Sequence, residues 1–152
     1  MRVFLNYADP DREVAREIRG RLAAEGFAVW MDEDVLPGQN LALAAGRALE
    51  RSNAMVVLLS PASGKSIAVR RGIEYALTQI RFRNRLIPVK ARPTRGFPWI
   101  LRMLTIVDWQ GDTQGALLEI VNRLLKPLKL NPDLLLSANW AGGLRKCARG
   151  AR

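Results

Sequence analysis

The sequence predicts an α/β protein built on a doubly wound parallel sheet, and three observations carry that expectation. Short apolar runs alternate with amphipathic helical segments over about the first 126 of the 152 residues. One run, Ala54-Met55-Val56-Val57-Leu58-Leu59, is apolar at every position, as in a central parallel strand covered on both faces. Nearly half of the residues (49%) are hydrophobic, enough for one core but without a membrane-length apolar stretch.

The elements follow in order. Val3, Phe4, Leu5 and Tyr7 open a first strand. Asp9 caps a helix whose first residue is Pro10, where a missing N–H costs nothing. Val14, Ile18 and Leu22 recur every four residues, so 10–25 reads as an amphipathic helix, ended by Gly26. Residues 27–31 form the second strand, and 32–38 a loop marked by Pro37 and Gly38. Leu41, Ala45, Ala48 and Leu49 place a second helix over 39–52. After the third strand, 60–65 reads as a loop, and 66–81 as a third helix. Residues 85–89 are a fourth strand whose Pro88 suggests a strand end or irregularity. A short helical turn over 97–101, a fifth strand over 104–108 and a last helix over 113–126 complete the alternation. Right-handed crossovers put helices on both faces, and function belongs outside the carboxyl ends of the strands, at 7–9, 32–37, 60–66 and 90–92. Residues 127–152 do not continue the pattern: Pro127 and Pro132 break helices, and the end is basic and glycine-rich, so they read as a tail or truncated linker.

Composition excludes several chemistries. There is no histidine, hence no Ser-His-Asp or Cys-His catalysis and no His-ligated metal. The single Cys147 allows no intramolecular disulfide and no cysteine zinc cluster. The start turns polar too early for a signal peptide, and a cytoplasmic location is expected. Charge is uneven: residues 1–60 carry 7 basic and 9 acidic side chains, residues 61–152 carry 17 and 5. Such polarity suits an anionic partner or head-to-tail association.

Familiar motifs fail on inspection. The turn after the first strand has no glycine, so a dinucleotide fingerprint is absent. Gly64-Lys65-Ser66 resembles the end of a phosphate-binding loop, but Leu59 stands where its first glycine belongs. Ser60 and Asp108 occupy the strand ends where a phosphoacceptor receiver needs Asp and Lys. Asp32, Glu33 and Asp34 are adjacent acids that diverge, so they read as a solvated loop and no metal is expected. Ten basic residues against one acid, Glu74, fall within 65–102. Specific nucleic-acid binding is not expected, because Phe82, Phe97 and Trp99 lie where a core would claim them.

Five segments in order, VFLNYADPDREVA, GFAVWMDEDVLPGQN, VVLLSPASGKS, RRGIEYALTQIRFRNRLIPV and PWILRMLTIVDW, resemble a bacterial-type TIR (Toll/interleukin-1 receptor-like) domain over residues 1–126. The resemblance implies a flavodoxin-like fold, with 127–152 outside the domain. It also implies signal transduction by homotypic or heterotypic TIR–TIR association through the loop after the second strand, including roles in bacterial immunity. Leu36, Pro37 and Gly38 are the interface residues it implies, and weak self-assembly is the expected behaviour. Many members cleave NAD+ at the nicotinamide–ribose bond, so NAD+ is the implied substrate or ligand and no cofactor is required.

The same resemblance assigns substrate-side positions to Tyr7, Ala8, Asp32, Leu36, Ser66 and Ala68. The catalytic glutamate belongs to a Ser-x-Trp-x-x-x-Glu pattern on the third helix. Counted from Ser66, Ala68 stands at the tryptophan position and Gly72 at the glutamate position, two departures that imply impaired activity. Glu74 is the one substitute at hand, yet two residues turn a helix by about 200°, so it should face away. Replacing Gly72, a helix-interior glycine, by Glu is expected to stabilise the helix by about 0.5–1 kcal/mol.

Overall fold

The structure, a computed structural model, describes residues 1–126; the expectations for 127–152 lie outside the described residues. Among the described residues, five strands form one parallel sheet: β1 (Arg2–Asn6), β2 (Ala28–Trp30), β3 (Ala54–Leu59), β4 (Leu86–Lys90) and β5 (Val107–Asp108), in the order β2-β1-β3-β4-β5. The helices are α1 (Arg12–Ala24), α2 (Leu41–Arg51), α3 (Pro61–Lys65), α4 (Ile67–Thr78) and α5 (Thr113–Leu125), with 3-10 turns between. This is the flavodoxin-like doubly wound arrangement.

The period of two along each strand divides the core. Val3, Leu5, Val56 and Leu58 point to one face, where Ile18 and Leu22 of α1 and Ile120 and Leu124 of α5 cover them. Phe4, Met55, Val57 and Leu59 point to the other, beneath Val69, Ile73 and Ala76 of α4 and Phe82. All six residues of β3 are buried, as its unbroken apolar run predicts. Each fully buried aliphatic side chain contributes about 1.5–3 kcal/mol.

Several boundaries differ from the sequence expectations. The 60–65 loop is instead the short helix α3, because Ser60 and Ser63 form a reciprocal cap around Pro61 at the first helical position. The third helix stops at Thr78, and its expected last turn is a separate 3-10 turn, Ile80–Phe82. Pro88 stands inside β4, paired with Val57. Arg85 and Ala91 bond toward β3 and Lys90 toward Trp109, so Pro88 turns its missing N–H toward β5. The ladder to β5 therefore starts only at Val89, and the expected 104–108 strand shrinks to two residues. In the register of that pair, an N–H at position 88 would have met the Thr105 carbonyl, which accepts from the Arg123 guanidinium instead. The expected helical turn near 97–101 is a 3-10 turn, Trp99–Met103. Trp99 is 69% exposed there, so the expectation that the core claims it fails; Phe82 is buried and Phe97 half-buried.

No helix among the described residues is long and apolar enough to cross a membrane.

Candidate functional site at the carboxyl ends of the strands

β1 ends at Asn6, a buried amide whose Nδ2 donates to the Val69 carbonyl at 3.0 Å. That bond ties the first strand to the first turn of α4. Gly72 sits directly against it: a Cβ at position 72 would lie 2.5 Å from Asn6 Nδ2. The absence of a side chain at 72 is therefore a packing feature. The expected gain from Gly72→Glu is overturned, because any side chain there must first displace a hydrogen-bonded, buried amide.

Tyr7 follows, half-buried, and donates its hydroxyl to the Asp32 carboxylate across 25 residues of sequence. Burial, with Asp32 accepting from it, pushes the Tyr7 hydroxyl far above the ordinary phenol range. Ala8 is buried beside it.

The Asp32–Asp34 turn keeps Glu33 and Asp34 exposed, as its sequence suggests, and is also clamped to α1 by ion pairs. Arg12, Arg16 and Arg19 share one face of that helix at four- and three-residue spacing. Glu33 accepts from Arg12 Nη1 at 3.0 Å and from Arg16 Nε at 2.9 Å, and Asp34 from Arg19 Nη2 at 2.7 Å. The Arg16 and Arg12 guanidiniums lower the Glu33 carboxyl to about 2. Hydrogen bonds to Asp9 and Glu33 hold the Arg12 guanidinium above its ordinary range. Asp34 also accepts from the Met31 N–H at 2.9 Å, which starts the turn. The three carboxylates are thus spent on Tyr7, the arginines of α1 and backbone, with Asp32 and Glu33 sharing Arg12, and among the described residues no acidic cluster is arranged to hold a metal.

Beyond the clamp the chain turns outward. Leu36 accepts from Gln39 N–H at 3.1 Å, with Pro37 and Gly38 between them and Gly38 at φ +84°, a type II turn. Leu36 is 64% exposed, and Pro37 and Gly38 are exposed.

Ser66 caps α4 by accepting from Val69 N–H at 3.3 Å, and Ala68 is exposed on its first turn. Glu74 is exposed on another side of α4 from Gly72, lining a cavity of about 370 Å³ with Ser63, Arg70 and Phe97. Tyr7, Asp32 and Gly72 do not line that cavity. The structure thus brings Tyr7 to Asp32 and places Gly72 on the preceding residue, Asn6, while Glu74 stands apart.

Besides Asn6, sequence reasoning missed a second buried polar group. Asp11 is fully buried; Ser60 Oγ donates to one of its carboxylate oxygens, and Arg92 Nε lies 3.3 Å from the other. Arg92 Nη2 donates to the Pro10 carbonyl at 3.0 Å. This joins the ends of β1, β3 and β4. The only prior signal is the second acid of Asp9-Pro10-Asp11, which periodicity assigns to a solvated helix start.

The family model described as TIR domain matches residues 3–124, and the chain belongs to that family. It is a TIR-domain signalling and interaction module. No curated protein matches it. Among solved structures, it is similar to the TIR domain of the Toll-related receptor TRR-2 from Hydra magnipapillata, at 27% identity and TM-score 0.67, over 80% of this chain and 94% of that one. A metazoan TIR-STING receptor from C. gigas, solved with 2',3'-cGAMP, matches at 27% identity and TM-score 0.70, over 83% of this chain and 40% of the receptor. A prokaryotic SEFIR domain shares the fold at 16% identity, TM-score 0.62, over 86% of this chain and 96% of that one.

Proposed function

We propose that this domain works by TIR–TIR association, with itself or with other TIR domains, and that it comes from the NAD+-cleaving lineage without efficient cleavage. The presentation of Leu36 carries the first half. An apolar side chain stands exposed on a tight turn whose base is fastened to α1 by three arginines. A pre-ordered apolar tip loses little conformational freedom on docking. Light scattering tests it: Leu36→Asp lowers the associated mass at high protein concentration and leaves the melting temperature unchanged. A monomer at every concentration and salt level for the unmodified protein overturns the reading.

Gly72 supports the second half. NAD+ cleavage calls for a carboxylate beside the ribose, to stabilise oxocarbenium-like charge and hold its hydroxyls. Such a group contributes about 10²–10⁴ in rate, and Gly72 offers none. Tyr7, Ala8, Asp32, Leu36, Ser66 and Ala68 remain the proposed contacts to a bound NAD+, with Asp32 already accepting from Tyr7. Nicotinamide release by concentrated protein is the direct measurement, and the expected result is turnover near the blank. The second reading is an active glycohydrolase using Glu74, favoured by that exposed carboxylate lining its own cavity. Brisk turnover abolished by Glu74→Gln would move the chemistry there.

A further inference from the structure

Another cavity lies along the open edge of the sheet, beside the 32–40 connection and not lined by Tyr7, Leu36, Gly72 or Glu74. It is a groove of about 780 Å³ between the end of α1, β2 and α2. Four features of its walls point the same way.

First, the floor is an unpaired strand edge. Ala28 N–H bonds to the Met1 carbonyl, and β2 pairs with β1 in register from Ala28 to Trp30. In a parallel pair alternate residues face the neighbour, so the Val29 N–H and C=O point to the open side. Second, one wall is a thinly packed helix: α2 sets Ala45, Ala48 and Leu49 only partly into the core. α2 is amphipathic in sequence, yet none of its eleven residues is buried. Leu43 is 60% exposed, and Ala44 and Ala48 line the groove half-buried. Third, the rim is cationic. Arg2, Arg47 and Arg51 line the groove, all exposed, and none has a carboxylate partner among the described residues. Fourth, the groove's Asp34 is already taken by Arg19. An occupant therefore meets a free strand edge, a shallow apolar wall and three uncompensated guanidiniums.

We propose that this groove docks an extended acidic segment of a partner protein, which adds beside β2 with carboxylates on Arg2, Arg47 and Arg51 and small apolar side chains on α2. The charge decides between occupants. A basic segment meets three like charges, and a purely apolar one leaves them unpaired at the rim. Strand addition supplies backbone bonds to Val29, alternate side chains reach the α2 wall, and the guanidinium forks select carboxylates.

The test uses displayed random ten-residue peptides selected on the immobilised protein, compared with Arg47→Glu/Arg51→Glu and with Arg70→Glu/Arg71→Glu as a charge-matched control elsewhere. The unmodified protein and the control should enrich alternating Asp/Glu with Ala, Val or Leu. The groove variant should lose at least tenfold in affinity for the winning peptide. Amide exchange with that peptide bound should slow Val29. A Leu36→Asp protein should keep the binding, which separates this groove from association through the 36–38 turn. No acidic enrichment, or enrichment that survives in the groove variant, overturns the proposal. So does self-association that the groove variant abolishes with no peptide effect, since the occupant is then a second copy.

Discussion

Gly72 and Asn6 form a contact whose energetics can be reversed by design. A helix-interior Gly→Ala ordinarily gains about 1 kcal/mol. Here the added methyl collides with a buried amide, and overpacking costs about 1–3 kcal/mol. Gly72→Ala is therefore expected to lower stability in urea unfolding. In an Asn6→Ala background, with the obstacle removed, the same change should become stabilising, a coupling read by a double-mutant cycle. Glu33 supplies a second residue-scale prediction. Its carboxyl is lowered from 4.5 to about 2 by Arg16 and Arg12, so the folded state holds its proton less tightly than the unfolded chain. The stability it contributes is fully present above the unfolded pKa and is lost as pH falls from about 4.5 toward 2. Glu33→Gln should flatten the fall in melting temperature across that window; an unchanged slope counts against the clamp.

At the scale of elements, the β2–α2 connection divides into a fastened half and a free half. Arg12, Arg16 and Arg19 hold 32–34, while 36–40 touches the rest through turn bonds of its own. Arg16→Ala combined with Arg19→Ala should speed amide exchange over 32–39 and leave β3 unaffected; unchanged exchange in the turn would show that packing alone holds it. The alternation of elements was legible from periodicity, and β3 to the residue, because six consecutive apolar positions admit one reading. What escaped were features decided by single backbone donors or by distant partners. Pro88 announces an irregularity in sequence, but only the sheet order reveals that its missing donor shortens β5. The arginines at 12, 16 and 19 read as a solvated face because their acids lie about one helix and one strand away. Asn6 gave no signal and Asp11 only that of a second acid at a helix start, since a buried polar side chain looks, in sequence, like an exposed one.

Across the whole molecule the charge is divided, with residues 1–60 acidic and residues 61–152 strongly basic. Association that matches opposite faces weakens as salt screens it, over a Debye length of about 10 Å at 0.1 M. Associated mass is expected to fall as salt rises, and heterologous contacts that do not close into a ring run into open filaments, visible by negative-stain microscopy. Association that strengthens with salt would point to an apolar interface centred on Leu36 with no electrostatic share. The family was legible from five segments in order, whereas the candidate site was legible only as positions. Tyr7 and Asp32 do meet; the pairing of Gly72 with Asn6 had no sequence signature.

The contact between Arg92 and Asp11 leaves the domain open to damage from outside. A sealed carboxylate depends for its countercharge on a guanidinium that is half in solvent. Dicarbonyl compounds, which condense with accessible arginines, can reach Arg92 without the fold opening. Derivatising it strands the buried Asp11 carboxylate with Ser60 alone as partner among the described residues, which destabilises the fold. The melting temperature should therefore drop with phenylglyoxal exposure in the unmodified protein, and much less in an Asp11→Asn variant. A surface adduct at one side chain becomes an ageing mark that the whole fold registers.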